Sequence, residues 1–174
     1  PKQQNEIFWD AKTIGNWTDF LENSDVLINL TGKSVDCRYT EKNKQEIYNS
    51  RIFSTRILQQ AIDTLQNPPK VWLNTSSATI YIHSETHFNT EENGIMGDDF
   101  SMNICKSWEQ EFFKIENENI RKIALRTSIV LGNSGGAFPK MKLITKLGLG
   151  GKQGRGNQLM GWSYIDDFCR AVEF

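Results

Sequence analysis

Three short apolar runs, each ending on small or hydroxyl-bearing residues and separated by long helical stretches, leave this chain few architectures. They are Asp25-Val26-Leu27-Ile28-Asn29-Leu30-Thr31-Gly32, Val71-Trp72-Leu73-Asn74-Thr75, and Lys122-Ile123-Ala124-Leu125-Arg126-Thr127-Ser128-Ile129-Val130-Leu131-Gly132. Apolar runs of this length bounded by turn residues read as buried strands. Strand, helix and strand alternating at this spacing are what parallel crossover connections produce. The expected fold is α/β, a doubly wound parallel sheet. In such a sheet ligands lie beyond the carboxyl ends of the strands, where small hydroxyl residues admit a ligand and offer it hydrogen bonds. The second run is the most telling, because it passes straight into Ser76-Ser77-Ala78-Thr79-Ile80-Tyr81. An ordinary Ser/Thr-rich turn fits the same residues, so both readings stay open.

The segments between the strands follow the same logic. An extended piece is expected near residues 6–9, then a short helix over 17–22 with Asn16 as cap. From residue 41 to 65 the apolar positions Ile47, Tyr48, Ile52, Phe53, Ile57, Leu58, Ala61, Ile62 and Leu65 recur at helical spacing behind a Thr40 cap. That stripe is wider than one core-facing side needs. Burial against a second subunit and burial within one domain account for it equally. Asn67-Pro68-Pro69 stops the helix. Residues 83–99 are polar and read as a surface loop, where His83 and His87 lack companion ligands and are expected to be solvated. Residues 101–115 form a helix whose apolar face holds Ile104, Cys105, Trp108, Phe112 and Ile115.

After Gly132 the pattern changes. Gly135-Gly136 precede an amphipathic helix over 137–147, and residues 148–156 carry five glycines with Lys152 and Arg155. Such a loop can wrap a phosphate with backbone N–H groups. It follows a helix and lacks the order G-x-G-x-x-G, so a loop without a ligand is the competing reading. Trp162-Ser163-Tyr164-Ile165 reads as a strand, and Asp166 as the cap of a last helix.

A formal net charge of −1 at pH 7 gives no electrostatic case for nucleic acid or an anionic membrane as partner. Three cysteines, Cys37, Cys105 and Cys169, are far apart and without CxxC spacing. They read as reduced thiols of a cytoplasmic protein, with no disulfide framework and no metal site. No apolar run approaches the roughly 20 residues that span a bilayer. Three glycosylation sequons, beginning at Asn16, Asn29 and Asn74, are read as chance.

Asn29-Leu30-Thr31-Gly32, Thr75 through Tyr81, Arg126 through Gly132 and Trp162 through Asp167 resemble, in that order, landmarks of the extended short-chain dehydrogenase/reductase superfamily. Thr40-Glu41-Lys42, Ser50-Arg51-Ile52, Thr55-Arg56, Cys105-x-x-Trp108-Glu109 and Leu147-Gly148-Leu149-Gly150-Gly151 resemble its atypical branch, family 39U, of sugar-nucleotide epimerase-like proteins. The resemblance runs from about residue 25 to the end. It implies a Rossmann domain binding NADP or NAD, with a small polar or nucleotide-sugar substrate. Leu30 and Gly32 would lie beside the adenosine and pyrophosphate, Arg51 close to the cofactor, and Thr75, Ser76 and Ser77 behind the nicotinamide. Thr127 and Val130 would close over it from the next strand. Ser77 would hydrogen-bond the substrate oxygen, while Arg155 and Trp162, with the insertion over 133–161, would border the substrate. It also implies a homodimer through the helices over 47–65 and 104–115.

Two departures accompany the resemblance. The superfamily's acid–base tyrosine and the lysine four residues after it are replaced by Ser101 and Cys105. Lys106 is adjacent in sequence but about 100° round the helix. Tyr81 is a substitute phenol. A phenol, with an ordinary pKa of about 10, needs a positive neighbour to act near neutrality, and Arg51 or the nicotinamide ring would serve. Cys105 is the third catalytic candidate, with an inert buried thiol as the plainer reading. The second departure is that the first strand, glycine turn and helix of the superfamily, and its C-terminal part, have no counterpart here. The expectation is an internal fragment of a protein of roughly 300 residues. An NAD(P)-dependent oxidoreductase or epimerase is the first functional reading, and a catalytically impaired NADP(H)-binding regulatory or sensing protein the second.

Overall fold

The computed structural model describes residues 6–115, 117–152 and 154–174. They form two compact units, one of residues up to 82 with 95–126, the other of 83–94 with 127–174.

The first unit is built on a three-stranded sheet in the order β1 (Val26–Asn29), β2 (Val71–Ser77), β3 (Arg121–Thr127). β1 and β2 run parallel, with Val26 opposite Val71 and Asn29 opposite Asn74. Their crossover is α1 (Glu41–Ile62), and α2 (Phe100–Phe113) precedes β3. This is the α/β parallel arrangement expected from the three apolar runs. Thr40 caps α1 by accepting from the Asn43 N–H, as its position before the helical run predicts. Asp99 does the same for α2, accepting from the Met102 N–H at 2.8 Å.

Burial explains the wide stripe of α1 in part. Ile47, Ile52, Ile57, Leu58, Ala61 and Ile62 are buried, whereas Tyr48 and Phe53 remain about 40 % exposed, at 37 % and 41 %. Ile57, Leu58, Ala61 and Ile62 join Trp17, Trp72, Phe112 and Ile120 in one core, with Trp72 and Phe112 edge to face at 4.9 Å between centroids. A lysine closes that core: Lys122 Nζ donates to Gln59 Oε1 at 2.6 Å, Ile115 O at 2.7 Å and Phe112 O at 3.0 Å, and stands over the Trp72 ring. Burial lowers its pKa from the usual lysine value, with Asp63 opposing.

Several boundaries differ from the sequence expectation. Residues 6–9 form no strand, although Trp9 packs on Trp17 at 5.4 Å. The expected helix over 17–22 is a 3-10 helix at Asn16–Phe20 that follows Gly15, so Asn16 is not its cap. The third apolar run divides at Ser128, because β4 (Ile129–Leu131) pairs with β5 (Trp162–Tyr164) and not with the first sheet.

The second unit holds that parallel β4–β5 pair, with α3 (Ala137–Lys146) and α4 (Ile165–Glu173). Asp166 does not cap α4. The helix starts two residues earlier than expected, after Tyr164, leaving Asp166 and Asp167 in the first turn, where their charge suits the helix N-terminus. Gly148, at φ +73°, ends α3. Gln153, within the glycine-rich loop, lies outside the described residues. Among the described residues no helix is long and apolar enough to cross a membrane, and no His/Cys/Asp/Glu cluster has metal-binding geometry.

Replacing Lys122 by Met should leave three acceptors at the core's edge without their donor. The expected loss is about 1–3 kcal/mol of unfolding free energy in a urea titration. A change under about 0.5 kcal/mol would contradict the role given to the ammonium group.

Candidate functional site

The carboxyl ends of β1 and β2 are locked together by two buried asparagines. Asn29 and Asn74 stand opposite each other, and Asn29 Nδ2 donates to Asn74 Oδ1 at 2.7 Å. Asn74 Nδ2 donates to Thr75 O at 2.9 Å, and Thr75 Oγ1 donates to Asn29 O at 2.7 Å. Asn29 Oδ1 accepts the Thr31 N–H at 3.0 Å, turning the chain out of the strand. Both asparagines are essentially inaccessible, so each amide finds its partners inside the protein. The result is a rigid double strand end that presents the segment Leu30 to Lys33 beside Thr75, Ser76 and Ser77.

That segment is held from behind by α1. Lys33 donates its N–H to Ser50 Oγ at 2.9 Å, and its ammonium group meets Asn43 and Glu46. Arg51 Nη1 donates to Lys33 O at 3.2 Å and Ile47 O at 3.0 Å, while the guanidinium lies 5.1 Å above the Trp108 ring. Trp108 in turn donates to Thr55 Oγ1 at 2.9 Å. Burial pulls the Arg51 pKa down. Gly32 passes against this guanidinium so closely that a Cβ there would sit 3.2 Å from Arg51 Cζ. Leu30 is 68 % exposed on the outer side. Cys105 is buried, and burial raises its thiol pKa, opposed by the charge of Arg51 and a backbone hydrogen bond from Ser77. A thiolate is therefore disfavoured there.

Beyond the strand end, Ser77 opens a 3-10 turn, Ala78–Ile80, with its Oγ accepting the Thr79 N–H at 3.2 Å and lying 2.8 Å from Thr79 Oγ1. The turn delivers Tyr81 to a bridge with Met96, flanked by Ile82 N–H to Ile95 O at 2.8 Å and Gly97 N–H to Ile80 O at 3.2 Å. The Tyr81 hydroxyl is met by Arg126 Nη1. The positive neighbour of this phenol is thus Arg126 of β3, whereas Arg51 is spent on backbone carbonyls. Arg126 also forks onto Glu109, Nε to Oε1 at 2.9 Å and Nη2 to Oε2 at 2.6 Å, and Ser76 Oγ donates to Glu109 Oε1 at 2.5 Å. The carboxylate raises the already high pKa of the guanidinium.

The remaining expected site residues belong elsewhere. Thr127 ends β3, Val130 sits in β4 opposite Ser163, and Trp162 begins β5, 58 % exposed. Arg155 is exposed in the glycine-rich loop. They fall in the second unit, whereas Leu30, Gly32, Arg51, Thr75, Ser76, Ser77, Tyr81 and Cys105 fall in the first. His83 and His87 are exposed, His87 Nδ1 lying 2.8 Å from Ser84 Oγ.

The chain has relatives of known name. An epimerase family protein of Bacillus subtilis, YfhF, is 36 % identical over 154 residues, which are 88 % of this chain and 50 % of that protein. The crystal structure of the human epimerase family protein SDR39U1, isoform 2, with NADPH superposes with a TM-score of 0.79 at 30 % identity, over 90 % of this chain and 55 % of that one. Over most of its length the chain is thus similar to proteins of the 39U branch of the extended short-chain dehydrogenase/reductase superfamily. A nucleoside-diphosphate sugar epimerase of Corynebacterium glutamicum also superposes at 0.79, with 26 % identity over 98 % of this chain and 35 % of that one. No protein-family model matches the chain. The chain spans about half the length of the curated relatives it matches.

Ser101 and Cys105, the residues expected in place of a tyrosine and lysine, lie on α2, and Lys106 Nζ donates to Asp98 Oδ1 at 2.6 Å. Asn29, Asn74, Glu109 and Arg126 were not singled out by sequence reasoning as site residues. A pair of asparagines at two strand ends is visible in the sequence, but only the strand register makes them partners.

Asn74→Ala should cost about 1–3 kcal/mol by leaving the Asn29 amide without its acceptor. In a double-mutant cycle with Asn29→Ala the two losses should be less than additive by at least about 0.5 kcal/mol. Strict additivity in denaturant titrations would mean that the pair does not hold the strand ends together.

Proposed function

We propose that the protein is an NAD(P)-dependent oxidoreductase or epimerase acting on a small polar substrate, with nucleotide-linked sugars as the favoured class. The observation that carries this reading is the pair of parallel strand ends locked by Asn29 and Asn74, with small and hydroxyl residues at their tips. Open parallel sheets bind dinucleotides at such ends. NADPH in the human relative and the sugar-epimerase name of the Corynebacterium one support the cofactor and the substrate class.

The residues present suit a dinucleotide along this edge. Exposed Leu30 offers an apolar surface for an adenine ring, and Gly32 leaves space where a side chain would press on Arg51. Arg51 holds the backbone of this segment and adds a positive charge behind it. Thr75, Ser76 and Ser77 would back the nicotinamide, which when bound supplies or accepts a hydride. Ser77 Oγ, which receives the Thr79 N–H and lies 2.8 Å from Thr79 Oγ1, is the hydroxyl that would meet a substrate oxygen. Cys105 packs behind this position as a thiol.

The replacement of the tyrosine and lysine by Ser101 and Cys105 favours a second reading, an NADP(H)-binding sensor without turnover. Exposed Tyr48 and Phe53 on α1 and Phe113 on α2 support a homodimer through these helices.

Titration of NADPH and NADH against the protein, followed by reduced-nicotinamide fluorescence, should show saturable binding of at least one. Binding of neither would end both readings. Ser77→Ala should lower kcat on an accepted substrate by about 10²-fold while cofactor affinity stays within about twofold. Cofactor binding with turnover indifferent to Ser77 would remove the role given to that hydroxyl.

A further inference from the structure

Arg126 stands where a phenol that acts as acid and base needs a cation. Its Nη1 donates to the Tyr81 hydroxyl, and its guanidinium carbon lies 5.2 Å from the centre of the Tyr81 ring. The other edge of the guanidinium is clamped on both oxygens of Glu109, a carboxylate only 8 % exposed. Ser76, next to Ser77, ties Glu109 back to the strand end. Other nearby cations are committed elsewhere: Lys106 to Asp98 and Arg51 to the carbonyls of Lys33 and Ile47.

We propose that Tyr81 is the acid–base group of this site and that Arg126 is its positioning residue, fixed by Glu109 and Ser76. The proposal rests on the oxidoreductase reading above. A guanidinium has donors and no acceptor, so its bond to Tyr81 uses a lone pair of the phenol oxygen and leaves the O–H free to point away from β3. In carbonyl reduction a bound NAD(P)H would supply the hydride to the substrate carbon and be oxidised to NAD(P)+, while the Tyr81 phenol would give its proton to the substrate oxygen. The phenolate left behind keeps the Arg126 N–H, and solvent returns its proton. In alcohol oxidation the same atoms move in reverse. A fork anchored on two oxygens holds the third donor in one direction, which a lysine's rotating ammonium group cannot do while also bridging Glu109.

The test compares Tyr81→Phe, Arg126→Met and Arg126→Lys with the unaltered protein and with Arg56→Met, which removes an exposed guanidinium–carboxylate pair between α1 and α2. NADPH affinity, thermal midpoint, and NADPH oxidation with a panel of aldehydes, ketones and 4-keto nucleotide sugars are measured for each. The proposal expects Tyr81→Phe to lose on the order of 10²-fold in kcat, with NADPH affinity and substrate KM within about threefold. Arg126→Met should lose a similar factor, and Arg126→Lys should recover part of it. Arg56→Met should turn over normally. Tyr81→Phe within about threefold of the unaltered kcat overturns the proposal, and this variant alone decides if the Arg126 proteins do not fold. Unaltered protein that binds NADPH but turns over nothing in the panel also overturns it and leaves the cofactor reading standing. Absence of NADPH binding is the separate failure of that reading.

Discussion

The Glu109 carboxylate is the interaction on which the first unit's working edge depends. It sits on α2 with little access to water, and a charge so placed is costly unless paired and hydrogen-bonded. Two bonds from Arg126 and one from Ser76 meet that need, and in doing so join α2, β3 and the end of β2 at one point. The orientation of Arg126 follows from this clamp, and the place of the Tyr81 hydroxyl follows from Arg126. Removing one partner would strand the other in a poorly solvated place, so such a pair behaves as a unit.

A second, uncharged lock acts one layer away. Asn29 and Asn74 close the strand ends through side-chain amides, and the segment they release is strapped to α1 through Lys33 and Arg51. The core of Trp72, Phe112 and the apolar side of α1 supplies the hydrophobic stabilisation. The polar locks decide where the strand ends point. Burial without direction would hold the sheet together and leave its tips free to wander.

Most of the fold was legible because its signals are local. Periodicity located α1, α2 and α3, the Thr40 cap began α1 on the expected residue, and the apolar runs marked β1 and β2. What was misread depended on pairing. Nothing in the run from Lys122 to Gly132 announces that it divides at Ser128 between two sheets. Asp166 looks like a cap because it is an acidic residue before an apolar periodic stretch, yet α4 begins at Ile165. The candidate site was legible only in part: the end of the second apolar run pointed to Thr75, Ser76 and Ser77, and Leu30 and Gly32 entered through the resemblance. Glu109 and Arg126 lie 17 residues apart in the chain, and their ion pair emerges only when α2 and β3 are packed. For the same reason Arg51 looked like the cation available to Tyr81, whereas Arg126 is the one in contact.

The proposed dinucleotide edge is formed by the locked ends of β1 and β2. Amide chemical-shift mapping of the isotope-labelled protein during NADPH addition reads that edge directly. The account predicts that the largest shifts fall on Leu30, Gly32 and Lys33 and on Thr75 through Ser77, with the exposed outer positions of α1 such as Gln45 and Gln60 left in place. NADPH-induced shifts concentrated on other residues, with those two strand ends unmoved, would contradict it.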